Sequence, residues 1–340
     1  DLQHSVAGKK RTDPTFDSAV ACYSLGVAAA PRAFLCVSID CECDKGAAWR
    51  TQKPLAFAGV TDGIARRLQP LFVRSGAKAT YLLSPEVMRD PESVESLRTM
   101  TGDAELGTHL HGELAEPFAF EPDVTSVFQR DYAPDLERKK LAYLTDLFTR
   151  TFDRKPASFR AGRFGIGSSS IGILEELGYS VESSVTPHVD WSDKAPGLSF
   201  VGAPTQPYRP DRTDPKRRGD SQLLEVPVTI RPRALQRLPL VGKLIEARWL
   251  RPTHGTASSL IAVARDEIAA ATRTSRDGPP APVILNSMFH NVEIVAGASP
   301  YASTDDAARK ILDRLASLLA WAKREDIRVI GLADVPELVL

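Results

Sequence analysis

What most restricts the fold of this chain is an alternation, sustained along most of its length, between short strand-like apolar runs and longer segments whose apolar residues recur at helical spacing. That order is the mark of βα units built on a largely parallel sheet. The spacing predicts a strand over Phe34–Asp40, then a helix over Thr61–Arg74 with Ile64, Leu68, Leu71 and Phe72 on one face, then a strand over Ala77–Leu83 closed by Pro85. A helix near Glu92–Met100, a strand ending at Thr108–His111 and a long helix over Pro134–Phe152 follow. The pattern continues with a strand at Ala157–Ala161, a helix at Ser168–Leu177 stopped by Gly178, and strands at Tyr179–Val185 and Leu223–Ile230. It closes with a helix at Ala257–Ala271, a strand at Val283–Phe289, a helix at Asp305–Lys323 and a strand at Ile327–Leu332. About seven or eight such units, without internal sequence repeats, predict a distorted (β/α)7-8 barrel.

One domain is expected over residues 34–340, with 1–33 as an N-terminal extension. A Pro-, Asp-, Arg- and Gly-rich loop near 186–220 is expected over one mouth of the barrel, and an irregular insertion at 231–252. Ala19–Ala30 is an apolar run behind Lys9, Lys10 and Arg11, but Asp13 and Asp17 interrupt its flank, so it reads as a short element packed on the barrel rather than the remnant of an export signal. No stretch reaches the roughly 18 consecutive apolar residues of a membrane span. Lys plus Arg equal Asp plus Glu at 43 each, so no field of one sign exists to attract a nucleic acid or an anionic membrane, and a neutral substrate is expected.

The unusual polar clusters fall at the C-terminal ends of the predicted strands, where parallel barrels assemble their active sites. In Val37-Ser38-Ile39-Asp40-Cys41-Glu42-Cys43-Asp44, strand alternation puts Asp40, Glu42 and Asp44 on one side, where they repel unless a cation or proton sits among them. In Gly107-Thr108-His109-Leu110-His111-Gly112-Glu113, two imidazoles project from one face of an extended segment and can chelate one divalent ion. Two nitrogens and one oxygen, with positions left for water, make a catalytic rather than a structural metal composition. In Phe159-Arg160-Ala161-Gly162-Arg163-Phe164-Gly165, Arg160 ends a strand and can hold a carboxylate ionised. His290 closes the apolar strand of Asn286-Ser287-Met288-Phe289-His290-Asn291-Val292-Glu293 and has the position of a general acid.

In order and spacing these clusters resemble carbohydrate esterase family 4, the polysaccharide deacetylases, over roughly residues 34–335. The resemblance implies that Asp40 is the catalytic base and His290 the catalytic acid. The family's metal-ligand Asp falls on Cys41, which points away from Asp40 along a strand, so the ligand role passes to Glu42 with Asp44 in reserve. His109 matches the first ligand histidine. The second would fall on Glu113, and His111 is taken in its place; this GTHLHGE form resembles a divergent branch seen among bacterial surface-polysaccharide deacetylases. Arg160 would orient Asp40, Arg163 stands where the family has an aromatic, and His188-Val189-Asp190-Trp191 corresponds to the aromatic groove, with Arg163, Asp190 and Trp191 meeting a sugar.

The resemblance thus implies a divalent metal, zinc first with cobalt or nickel as alternatives, held by Glu42, His109 and His111. The reaction implied is removal of the acetyl group from an N-acetylated saccharide, with a backbone N–H near Arg163 helping to hold the oxyanion. Two other functions compete. One is an inactive sugar-binding barrel, suggested by the Cys41 and Arg163 departures; the other is an amidohydrolase-type metal hydrolase drawing on His188, His254, His290 and Asp334. Cys41 and Cys43 flank the proposed ligand, which favours a reducing cytoplasm.

Overall fold

The computed structural model describes residues 32–100, 102, 104–119, 128–233, 246–274 and 281–340. Residues 1–31, nearly all of the expected N-terminal extension, lie outside that set, as does 234–245 within the expected insertion.

In chain order the strands are β1 (Ala33–Cys41), β2 (Thr80–Leu83), β3 (Glu105–Leu110), β4 (Ser158–Ala161), β5 (Val181–Glu182), β6 (Leu224–Glu225), β7 (Ile230–Arg231), β8 (Arg248–Trp249), β9 (Val283–His290) and β10 (Arg328–Ile330). The helices are α1 (Gln69–Ser75), α2 (Pro91–Arg98), α3 (Pro134–Phe152), α4 (Ser170–Leu177), α5 (Ala257–Thr274), α6 (Asp305–Arg324) and α7 (Pro336–Val339). The predicted helix over Thr61–Arg74 is present, but its first part, Gly59–Leu68, is wound as a π-helix that runs on into α1.

β1 organises the sheet. It pairs in parallel with β9 from Ala33↔Val283 to Asp40↔His290. Its other edge is shared, with β10 beside Phe34–Cys36 and β2 beside Ser38–Cys41. From β2 the parallel order continues through β3, β4, β5 and β6, and the sheet curls into a half-barrel. Its free edges meet beyond β6, where Thr229 N donates to Asn286 O (2.9 Å) and Asn286 N donates to Thr229 Oγ1 (2.8 Å). The distorted barrel expected from the pattern is therefore the observed architecture. β7 and β8 form a separate antiparallel pair.

Alternation along β1 separates two environments. Leu35, Val37, Ile39 and Cys41 join the large core between the sheet and the helices. Phe34 and Cys36 face the barrel lumen and pack with Leu82, Val181, Leu224, Val226 and Ile284, while Ser38, Asp40 and Glu42 continue the same face upward as polar groups, all buried. The lumen therefore has an apolar floor and a charged mouth. Cys41 lies on the helix side, as the sequence requires if Glu42 is to stand beside Asp40.

α3 steadies the mouth. Its Lys140 is fully buried and donates to the carbonyls of Gly112 (2.8 Å), Ala115 (2.7 Å) and Pro117 (2.6 Å), clamping the turn that follows His111. Gly112 in that turn is required by contact: a Cβ there would lie 2.4 Å from the Tyr132 ring.

Candidate metal centre at the barrel mouth

Glu42 lies one residue beyond β1. Its backbone is fixed on both sides by Asn291, whose Oδ1 accepts from Glu42 N and whose Nδ2 donates to Glu42 O, each at 3.0 Å. The Glu42 carboxylate then reaches across the lumen to two imidazoles, His109 in β3 and His111 one residue past its end. Oε1 is 3.3 Å from His109 Nε2 and 2.9 Å from His111 Nε2. His109 Nδ1 lies 3.0 Å from the Arg160 carbonyl and donates to it, which leaves the Nε2 lone pair facing Glu42. On the far side of His111, Nδ1 is 3.3 Å from Glu113 Oε1 and 3.1 Å from an Arg163 nitrogen, and Arg163 holds Glu113 at 2.6 Å.

These donors suit a cation. Ligands about 2.1 Å from a tetrahedral ion are roughly 3.4 Å apart, close to both Glu42–imidazole distances. One donor atom from each of Glu42, His109 and His111 lies within 4.8 Å of the others, and all three residues are buried. The group can hold a metal ion. Burial alone would raise the Glu42 carboxyl, but His111 and Lys45 outweigh it and hold it well below the usual range. Burial would lower His111, but Glu42 and Glu113 lift it to about 9.

The reserve ligands are used elsewhere. β1 ends at Cys41, so alternation no longer governs Asp44, and its carboxylate instead caps the π-helix by accepting from Ala58 N (3.0 Å) and Gly59 N (2.9 Å). The expectation that Asp44 shares a side with Asp40 and Glu42 is corrected accordingly. Glu113 sits behind His111 rather than beside its Nε2.

Asp40 is held by Arg160, which is fully buried and extended across the lumen. Arg160 donates to Asp40 Oδ1 (2.7 Å), Ser38 Oγ (2.8 Å), Ser183 O (2.6 Å) and Ser183 Oγ (2.9 Å). Burial would raise the Asp40 carboxyl, but Arg160, His109 and His290 together hold it below the usual range. The other oxygen, Oδ2, faces the mouth, 3.9 Å from His109 Nε2 and 3.8 Å from His290 Nε2, a gap that one small group spans.

His290 ends β9 with its Nδ1 2.7 Å from Glu293 Oε1. Glu293 is buried and also bonded by Arg251 and Thr253; burial would raise its carboxyl, but Arg251 and His290 bring it down to about 2. His290 Nε2 thereby points to Asp40 and Glu42, 3.8 Å from each.

Sequence reasoning missed Lys45, Arg251, Trp49 and Tyr301. The Trp49 ring meets His290 edge-on (4.9 Å between centroids) and Tyr301 likewise (5.3 Å), making an aromatic wall beside His290. Trp49 adopts φ 53°, uncommon for a bulky residue and a mark of a constrained position. Of the residues expected to meet a sugar, Arg163 lies beside the candidate ligand His111, with a nitrogen 3.1 Å from its Nδ1. Trp191 is half-buried, stacked on Phe164 (5.8 Å), close to Trp249 (6.3 Å), and donates from Nε1 to Thr186. The Asp190 carboxylate closes a local turn by accepting from Ser192 N (3.1 Å) and Oγ (2.5 Å). Asp334, named in the amidohydrolase reading, pairs with Lys78 (2.8 Å) at the N-terminal ends of β2 and β3, opposite the mouth.

No family description and no curated protein matches the sequence. Solved structures do match. A Mycobacterium smegmatis protein assigned as a polysaccharide deacetylase is 18% identical, with 92% of this chain and 94% of that one covered, at a TM-score of 0.50. A Parabacteroides distasonis protein assigned as a glycoside hydrolase/deacetylase gives 0.63 at 11% identity, covering 92% and 72%. A GH57-type branching enzyme from Pyrococcus horikoshii gives 0.52 at 12% identity, covering 90% and 70%. At these identities the likeness is one of fold alone: a distorted (β/α) barrel shared with the three proteins. Among the described residues, no helix is long and apolar enough to cross a membrane.

Proposed function

We propose that this protein is a metal-dependent hydrolase that removes the acetyl group from an N-acetylated saccharide, akin to the family 4 carbohydrate esterases. The observation carrying this reading is the convergence of Glu42, His109 and His111 with Asp40 and His290 at one barrel mouth. Glu42, His109 and His111 would hold the cation, zinc in the first instance. Bound there, a divalent cation polarises a carbonyl oxygen and makes a water acidic enough to attack at neutral pH.

The chain's own groups divide the proton work. Asp40 is kept ionised and immobile by Arg160 on Oδ1, so Oδ2 is the base that takes a proton from water. Glu293 accepts a hydrogen bond from His290 Nδ1–H, which sets the ring so that Nε2 delivers a proton to the departing amine. Trp49 and Tyr301 offer an apolar wall to the saccharide on the His290 side. Glycosidic cleavage fits less well, because it requires a protonated carboxyl group, and both Asp40 and Glu42 are held ionised. The Cys41 departure does not argue for an inactive sugar-binding barrel, since Glu42 provides the oxygen that Cys41 lacks. Asp40→Asn should lower acetate release from N-acetylated saccharides by about 10²–10⁴-fold with metal content unchanged. Activity like that of the wild type in this variant would remove Asp40 from the mechanism.

A further inference from the structure

The two oxygens of Glu42 have different partners. Oε1 faces His109 and His111; Oε2 receives the Lys45 ammonium at 2.7 Å. Lys45 is 5% exposed, a rare situation for lysine. Its Nζ also donates to Thr51 Oγ1 (3.1 Å) and stands 3.8 Å from Cys43 Sγ. The buried Glu86 is near enough to act on it electrostatically, while its own Oε1 accepts from Cys43 N (3.1 Å). The Lys45 backbone is tied down, with N donating to Ala298 O (2.9 Å) and O accepting from Arg50 N (3.0 Å). Glu42 does not need Lys45 to stay in place, because Asn291 holds its backbone from both sides.

We propose that Lys45 is a positioning residue for the metal: it occupies Glu42 Oε2, confines Glu42 to ligation through Oε1 alone, and sets a positive charge behind the ligand. Two consequences follow. A carboxylate can grip a cation with one oxygen or two, and blocking the second keeps a coordination position open for water and substrate. A like charge behind the ligand also weakens the cation's hold, so the site trades affinity for an open position. This inference rests on the metal reading proposed above.

Cobalt(II) titration of chelator-treated protein, followed by visible absorption, tests it without reference to turnover. Lys45→Gln, which keeps a hydrogen-bond donor and removes the charge, should bind cobalt about tenfold tighter, the worth of relieving one like charge a few ångströms from the cation, and show weaker absorption as the coordination number rises. Lys45→Arg should keep the wild-type affinity and spectrum. Lys45→Gln with unchanged affinity and spectrum, or with weaker binding, would overturn the proposal, as would Lys45→Arg behaving like Lys45→Gln. Wild-type protein tests the ligation mode with no substitution at all: X-ray absorption at the cobalt edge should give one carboxylate oxygen, and two would overturn it. Wild-type protein that takes up no cobalt would remove the metal site and this role together, whereas uptake with identical variants removes the role of Lys45 alone.

Discussion

Replacing Arg160 with Met removes the guanidinium at the centre of the lumen while keeping much of its length. At an effective dielectric near 20, unit charges 2.7 Å apart attract by about 6 kcal/mol. Part of that offsets the desolvation of two buried ions, so the measurable loss is smaller. Breaking a buried pair from one side costs about 3–5 kcal/mol. The upper end applies, because Ser183 O loses its donor too and the imidazoles nearest Asp40 stand 3.8 and 3.9 Å away. The sign of the pH dependence follows from Asp40. In the wild type its folded value lies below its ordinary one, so its contribution to stability is complete above the ordinary carboxylate range and is lost as pH falls through the folded value. In Arg160→Met nothing comparable holds that charge, and the penalty at pH 7 should shrink as pH falls toward about 4. Urea unfolding of wild type, Arg160→Met, Asp40→Asn and the double variant between pH 5 and 8 provides the test. The double variant should be more stable than the two single losses added together predict. A loss under about 1 kcal/mol, or strict additivity, would refute the claim that Arg160 holds an ionised Asp40.

Three further outcomes follow from the same reasoning. Glu182 and Glu225 are register partners, both fully buried; burial and the neighbouring Glu182 push the Glu225 carboxyl well above its usual range, so the stability it contributes is complete below about pH 4.3 and falls as pH rises through the raised value. Glu225→Gln should remove that decline in a thermal-unfolding series, and an unchanged decline would show that Glu225 is not its source. Gly107→Ala would bring a Cβ to 2.2 Å from Ser158 Oγ and 2.7 Å from Ser158 O, so β3 and β4 must part, costing about 1–3 kcal/mol and shifting His109 enough to weaken cobalt binding; undiminished stability and affinity would show that the sheet yields there. Trp49→Ala should raise KM for N-acetylated oligosaccharides by about tenfold, the worth of one aromatic stacking contact, with kcat little changed, and an unaltered KM would separate the Trp49 wall from substrate binding.

The parts of the molecule legible in sequence are those governed by one strong periodicity. α3 spans Pro134–Phe152 as its apolar spacing predicts, and β9 exceeds its predicted span only by His290. The convergence of Glu42 with His109 and His111 was legible because the alternation of β1 and β3 carries one residue past the end of each strand, to Glu42 and to His111. Other features depend on distant partners. Strands were expected over Tyr179–Val185 and Leu223–Ile230, but the regular ladder holds only at Val181–Glu182 and Leu224–Glu225. Beyond it, Val185 N turns to the Glu225 carboxylate and Val228 N to Val185 O, so side chains replace part of the backbone pairing. Asp44 was misplaced because alternation was extended past the last strand residue. Lys45 reads as an ordinary surface lysine until Ala298, 253 positions on, draws its backbone inward (2.9 Å). Glu293 could have been found, since it lies three residues after His290 in the spacing of a capping box.

The central claim is that one cation, held by a carboxylate and two imidazoles, enables acetyl removal at this mouth. Its most direct test is to add zinc stepwise to chelator-treated protein while measuring acetate freed from an N-acetylated chito-oligosaccharide. The account predicts that activity climbs in proportion to added zinc, levels off at one equivalent per chain, and stays at background in His109→Ala. Zinc bound at one equivalent with acetate release no faster than buffer, or release that persists in His109→Ala, would contradict it.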